Sequence, residues 1–134
     1  TDGTLWAWGQ NISTMGNLGL GDTSTPQSPV QVGTLTNWKL VFAGLYTTAA
    51  IKTDGTLWTW GLNNLGQLGL SDLTNRSSPV QVGTSSWSQI SAGGSHTMGL
   101  LINTGALYTC GSNATGQIAD LLPPFCAVTY IIKY

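Results

Sequence analysis

TDGTLWAWG at residues 1–9 returns as TDGTLWTWG at residues 53–61, with one change in nine. A chain that writes one stretch twice must build the same local structure twice. SPVQVG at 28–33 recurs at 78–83, and WKLVFAG at 38–44 has a partner in WSQISAG at 87–93. TGALYTCGSNATGQI at 104–118 opens a third copy. The chain thus divides into unit one (1–52), unit two (53–103), a partial unit three (104–120) and a segment, 121–134, that leaves the pattern. A period of about 20 to 50 residues marks a solenoid, a propeller or an array, in which no unit buries its apolar face alone.

Local patterns choose among these. TLWTW and VFAG are short, β-branched or aromatic, and bounded by Gly, Asn and Asp, the composition of strands between turns. No stretch keeps a helical period over three turns. Asp54-Gly55 lies between two strand-like runs, a hairpin signal that Asp2-Gly3 repeats. The expectation is an all-β fold made of four-stranded antiparallel sheets, a β-propeller with two full repeats and part of a third. Trp6 and Trp8 are two apart and share one face of a strand, as do Trp58 and Trp60; Tyr108 and Cys110 stand there in unit three. Residues that recur at one place in each unit pack within or between units, so Trp6, Trp8, Trp58, Trp60 and Tyr108 are assigned to the core. The competing reading is that paired indoles stack on sugars.

Charged residues are 7% of the chain, and the net charge is −1. That excludes a phosphate-neutralising surface, hence nucleic acid, and an anionic membrane face. No run is long and apolar enough for a transmembrane helix, so no membrane insertion is expected. His96 is the only histidine. It neighbours Ser95 with no third partner in view, and is read as a structural hydrogen-bonding group. The acids Asp2, Asp22, Asp54 and Asp72 are doubled by the repeat and read as turn residues. Cys110 and Cys126 are read as buried thiols rather than a disulfide. GNLGLGD and GQLGLSD lack the lysine of a phosphate loop. No catalytic residue, cofactor or metal is expected. Asn11, Met15, Tyr46 and Arg76 lie in stretches where the units differ. They are the candidates for ligand or partner contact, because loops on a rigid scaffold carry recognition. The chain opens at Thr1, inside the motif, as a piece of a longer array would.

LWTWGLNNLGQLGLSD, then SPVQVG, then SAGGSHTMGL: this order resembles the repeat of the regulator of chromosome condensation family, over roughly residues 1 to 118. The resemblance implies a β-propeller with one blade per repeat. Family members that act on a small GTPase or bind chromatin use charged surface and a complete ring, so those activities are not carried over. LLPPFCAVTYIIKY at 121–134 resembles the last strand of bacteriophage tail-fibre and tail-collar proteins. Together the two resemblances imply a non-enzymatic structural or receptor-binding component of a phage tail. Its partners would be other subunits of the same assembly, in a homotrimer, and a host-surface glycan or protein. It would sit in the virion or at an extracellular surface. The alternative is a cytoplasmic propeller that scaffolds protein partners or regulates a GTPase.

Overall fold

The structure, a computed structural model, describes residues 2–12 and 14–112. Within them the chain forms eight strands and no helix: β1 (Trp6–Ala7), β2 (Val30–Gln31), β3 (Trp38–Ala43), β4 (Thr47–Lys52), β5 (Thr56–Gly61), β6 (Arg76–Ala92), β7 (His96–Leu101) and β8 (Leu107–Gly111). β1 and β2 form one pair; the other six follow one another in chain order, every pairing antiparallel. β6 changes partner along its length. Its first part, Arg76 to Ser86, pairs with β5, and its last part, Trp87 to Ala92, pairs with β7.

The repeat is visible in the register itself. Trp6 opposite Gln31 and Ala7 opposite Val30 recur as Trp58 opposite Gln81 and Thr59 opposite Val80. Val41 opposite Ala50 recurs as Ile90 opposite Gly99, and the bulge after Trp38 recurs after Trp87. The hairpin expected at Asp54-Gly55 joins β4 to β5. Gly55 takes φ +84°, which an L side chain rarely adopts, and its N–H donates to Lys52 O at 3.0 Å. Asp54 Oδ1 accepts from both the N–H and the hydroxyl of Thr56, as Asp2 Oδ1 does from Thr4. One full four-stranded sheet is therefore β3, β4, β5 and the start of β6. β1 and β2 repeat its last two strands; the end of β6, β7 and β8 repeat its first three. Sheet and sequence repeat are out of phase: each sequence unit ends one sheet and starts the next.

That arrangement buries the middle sheet on both faces. On one side Trp38, Ala50 and Trp60 form a cluster, joined by Leu5 of unit one and by Trp58. On the other, Ala49, Ile51 and Leu57 pack with Trp87 and Ile90 of the following sheet, joined by Tyr108. Trp58 and Trp60 both meet the Trp38 ring edge-on, with centroids 6.2 and 6.0 Å apart. Lys52 is buried, with Nζ 3.4 Å from the Trp58 ring centre and 5.0 Å from that of Trp38. Burial pushes its pKa down and Asp54 offsets this in part; the two ring faces supply attraction that water no longer does.

The assignment of all four repeated tryptophans to the core needs correction. Trp60 is 1% exposed and Trp58 half-buried, but Trp6 is 48% and Trp8 56% exposed. The reason lies in what covers Trp60. The Gly16–Leu20 turn of unit one lies over it, and Trp60 Nε1 donates to Asn17 O at 3.1 Å. Among the described residues, nothing plays that part for Trp8. Complete burial of a tryptophan contributes roughly 4–6 kcal/mol as an upper value. Trp60→Ala is expected to cost about 3–5 kcal/mol in urea unfolding, and Trp8→Ala within about 0.5 kcal/mol of nothing. Equal losses would show that neighbour coverage does not decide the value of these rings.

Candidate functional site

The strand order puts the connections at two ends of the sheets. The hairpins at 53–55 and 102–106, with the 32–37 segment, lie at one end. The long loops 8–29 and 62–75 and the short turns 44–46 and 93–95 lie at the other. The candidates Asn11, Met15, Tyr46 and Arg76 all fall on or beside this second, loop-bearing end.

Its two long loops are built alike from buried amides. Asn63 Oδ1 accepts from Leu68 N (2.9 Å) and its Nδ2 donates to Asp72 O (2.9 Å). Asn11 does the same with Leu18 N (3.3 Å) and Asp22 O (3.1 Å). Each amide replaces backbone pairing that an irregular loop cannot supply for itself. Asn17 and Gln67 add a second clamp, through Ile12 N at 3.0 Å and Leu65 N at 2.8 Å. The loops also hold each other: Asn75 Nδ2 donates to Thr14 O at 2.7 Å, and Gly21 N to Ser77 O at 2.8 Å. The far side of each loop presents a glycine turn to the next unit. A methyl group at Gly19 would stand 2.6 Å from Trp60 Nε1.

These observations sort the candidates. Asn11 is buried and holds its own loop together, so its amide is not free to meet a partner. Its match to Asn63, 52 residues on, was the available signal that it belongs to the repeat. Arg76 is bound through Nη2 to the Asp72 carboxylate and through Nη1 to Thr74 O (2.8 Å). Met15 and Tyr46 are half-buried; the Tyr46 carbonyl accepts from Leu62 N at 2.9 Å. The structure thus brings Met15, Tyr46 and Arg76 to one end. Sequence reasoning missed two exposed leucines there, Leu65 and Leu73; Leu45, also exposed, adjoins the candidate Tyr46. Single leucines in glycine-rich loops carry no period that announces exposure.

The expected structural hydrogen bond of His96 takes a different form. Its imidazole packs over Gly93, where a methyl group would lie 2.7 Å from Cε1. Its backbone carbonyl accepts from Gly93 N at 2.8 Å. Among the described residues, no three of His, Cys, Asp and Glu gather as metal ligands. None of the described residues forms a helix long and apolar enough to cross a membrane. Cys110 is a free thiol. Cys126 and the whole segment 121–134, with its phage-tail resemblance, lie outside the described residues.

Antiparallel sheets that follow one another in sequence, each closing its neighbour's apolar face, define an open stretch of a β-propeller. The regulator of chromosome condensation (RCC1) repeat matches residues 2–51 and 54–100, and a second model of that repeat matches 38–67 and 87–117. The chain belongs to the RCC1 repeat family. No curated protein matches it in sequence. Among solved structures, human WBSCR16 is similar at 21% identity and a TM-score of 0.75, over 96% of this chain and 33% of that one. Yeast RCC1 (Prp20), solved bound to Kap60, is similar at 27% identity and a TM-score of 0.70, over 92% of this chain and 29% of that one. Prp20p from Saccharomyces cerevisiae, described with its binding properties to Gsp1p and histones, gives 27%, 0.73, 91% and 30%. The chain therefore spans about a third of the length of these structures.

The acids of the loops have a consequence for stability. Asp72 has its pKa lowered, first by the Thr74 N–H; desolvation, second in size, opposes this, and Arg76 and Asn63 lower it further. A lowered folded pKa means stability that is present above the ordinary carboxylate range and lost as pH falls through the folded value. Urea midpoints are expected to drop on acidification below about pH 4. Asp72→Asn, which cannot ionise, should start lower at neutral pH and drop less. An unchanged acid slope in that variant would remove Asp72 from the account.

Proposed function

We propose that this chain is a protein-interaction segment of an RCC1-type propeller, and that it binds its partner through the loop-bearing end. The observation that carries this reading is the exposure of Leu65 and Leu73 on a loop that the buried Asn63 holds in place, with Leu45 exposed on the tight turn beside it. Rigid loops bind without a large ordering cost, and apolar side chains on them supply contact area. The yeast neighbours support the class of activity, since one is bound to Kap60 and the other is described with Gsp1p and histones. They also favour a cellular setting over a virion. With five acids and four bases, this chain lacks the charge to hold a strongly basic partner such as a histone by electrostatics alone. We infer a partner surface that is mixed apolar and hydrogen-bonding. We infer a non-catalytic role, in keeping with a site that offers shape and contacts. The phage-tail reading, with its homotrimer and its glycan or host partner, keeps only the sequence resemblance of 121–134.

The test is a crosslinking and co-purification experiment on the full chain in its native host. Replacing Leu45, Leu65 and Leu73 with serine should reduce capture of the specific partner at least tenfold. Replacing Leu35 and Ile102, exposed at the opposite end, should leave it unchanged. If the second set abolishes capture and the first does not, the loop-bearing end is not the binding face.

A further inference from the structure

We propose that the space between units two and three is a binding site for a small neutral aromatic molecule, up to indole in size. The repeat itself shows what belongs there. At the preceding junction an indole, that of Trp60, lies beneath the Gly19 turn, against Leu5 and Trp38, and donates its N–H to Asn17 O. One unit later the corresponding walls are Leu57, Leu68, Val82, Trp87 and Tyr108, with the Gly69 turn above. The corresponding acceptor is Gln67 O. The side chain that fills the space is no longer a tryptophan but Cys110, whose Sγ lies 3.3 Å from Gln67 O. The substitution leaves a cavity of about 150 Å³.

Three features suit this space to an aromatic guest. Its walls are mostly apolar, and a space of ~150 Å³ is large enough to admit benzene. Trp87 and Tyr108 already stand edge-to-face with centroids 5.7 Å apart, an arrangement a third ring extends. Burial pushes the Cys110 pKa up to about 11, so the thiol is neutral at physiological pH and puts no charge beside the guest. The proposal does not depend on the partner-binding role of the loop-bearing end.

Isothermal titration and ligand-observed NMR with indole and with benzene, on the full chain, test it. Saturable uptake of one molecule per chain is expected. Cys110→Ala, which enlarges the space, should bind indole more tightly. Cys110→Trp restores the repeat's own filling; it should weaken uptake at least tenfold and raise the urea midpoint. Should that variant not fold, Cys110→Leu gives the same readout with a smaller plug. In a Cys126→Ser background, indole should slow alkylation of Cys110 by iodoacetamide. No saturable uptake, equal affinity after filling the space, or unaltered alkylation would each overturn the proposal. So would binding lost in Trp8→Ala, because that would place the guest on the exposed indoles of unit one.

Discussion

Units two and three of this fold are each covered by a glycine turn from the unit before. The turn comes close because Gly19 has no side chain to hold it off, and what it closes over is the Trp60 indole. The hydrogen bond from that indole to Asn17 O fixes the distance and the angle. Other features follow from this contact. The long loops need internal clamps, since a turn that must sit on a ring in the next unit cannot wander; Asn11 and Asn63 supply them. Positive φ at Gly19 and Gly69 lets the same turn form twice. The ring beneath can be exchanged only at the cost of a void, which is what Cys110 introduces at the second junction.

The same contact explains why so uncharged a chain has a core. A sheet covered on both faces needs few polar positions, and its charges must be satisfied locally. Lys52 shows how: its ammonium lies against Trp58 and Trp38 instead of in water. Asp54 stays at a hairpin turn and Asp2 at the matching place in unit one, where adjacent threonine groups hold them ionised. What remains for the surface is threonine, serine, asparagine and glycine, together with loop leucines that the stack does not use. The loop-bearing end is accordingly where a partner finds apolar surface on a firm base.

Much of this was readable beforehand. The doubled hairpin motif, the two-residue spacing of the tryptophans and the lack of helical period led to an all-β propeller, and the sheets have the expected antiparallel order. The hairpin at Asp54-Gly55 follows from local chemistry alone, because a glycine is needed where φ is positive. The candidate site was less legible. Arg76 looked free and is bound to Asp72, since an i, i+4 pair in a loop has no sequence signature. Asn11 looked like a variable loop residue because unit one is longer there, yet its partners are those of Asn63.

The sequence by itself determined the unit, its strands, its turns and which residue types recur at each place. Those depend on neighbours within a few residues, so the chain carries them wherever it is cut. Only the tertiary structure decided which recurring residues are buried. Trp8 and Trp60 occupy the same place in the same motif, but burial is a property of what lies on top, and that comes from a different unit. For the same reason the void at Cys110 could not be read from the cysteine: its walls belong to strands and loops up to about fifty residues away, brought together by stacking.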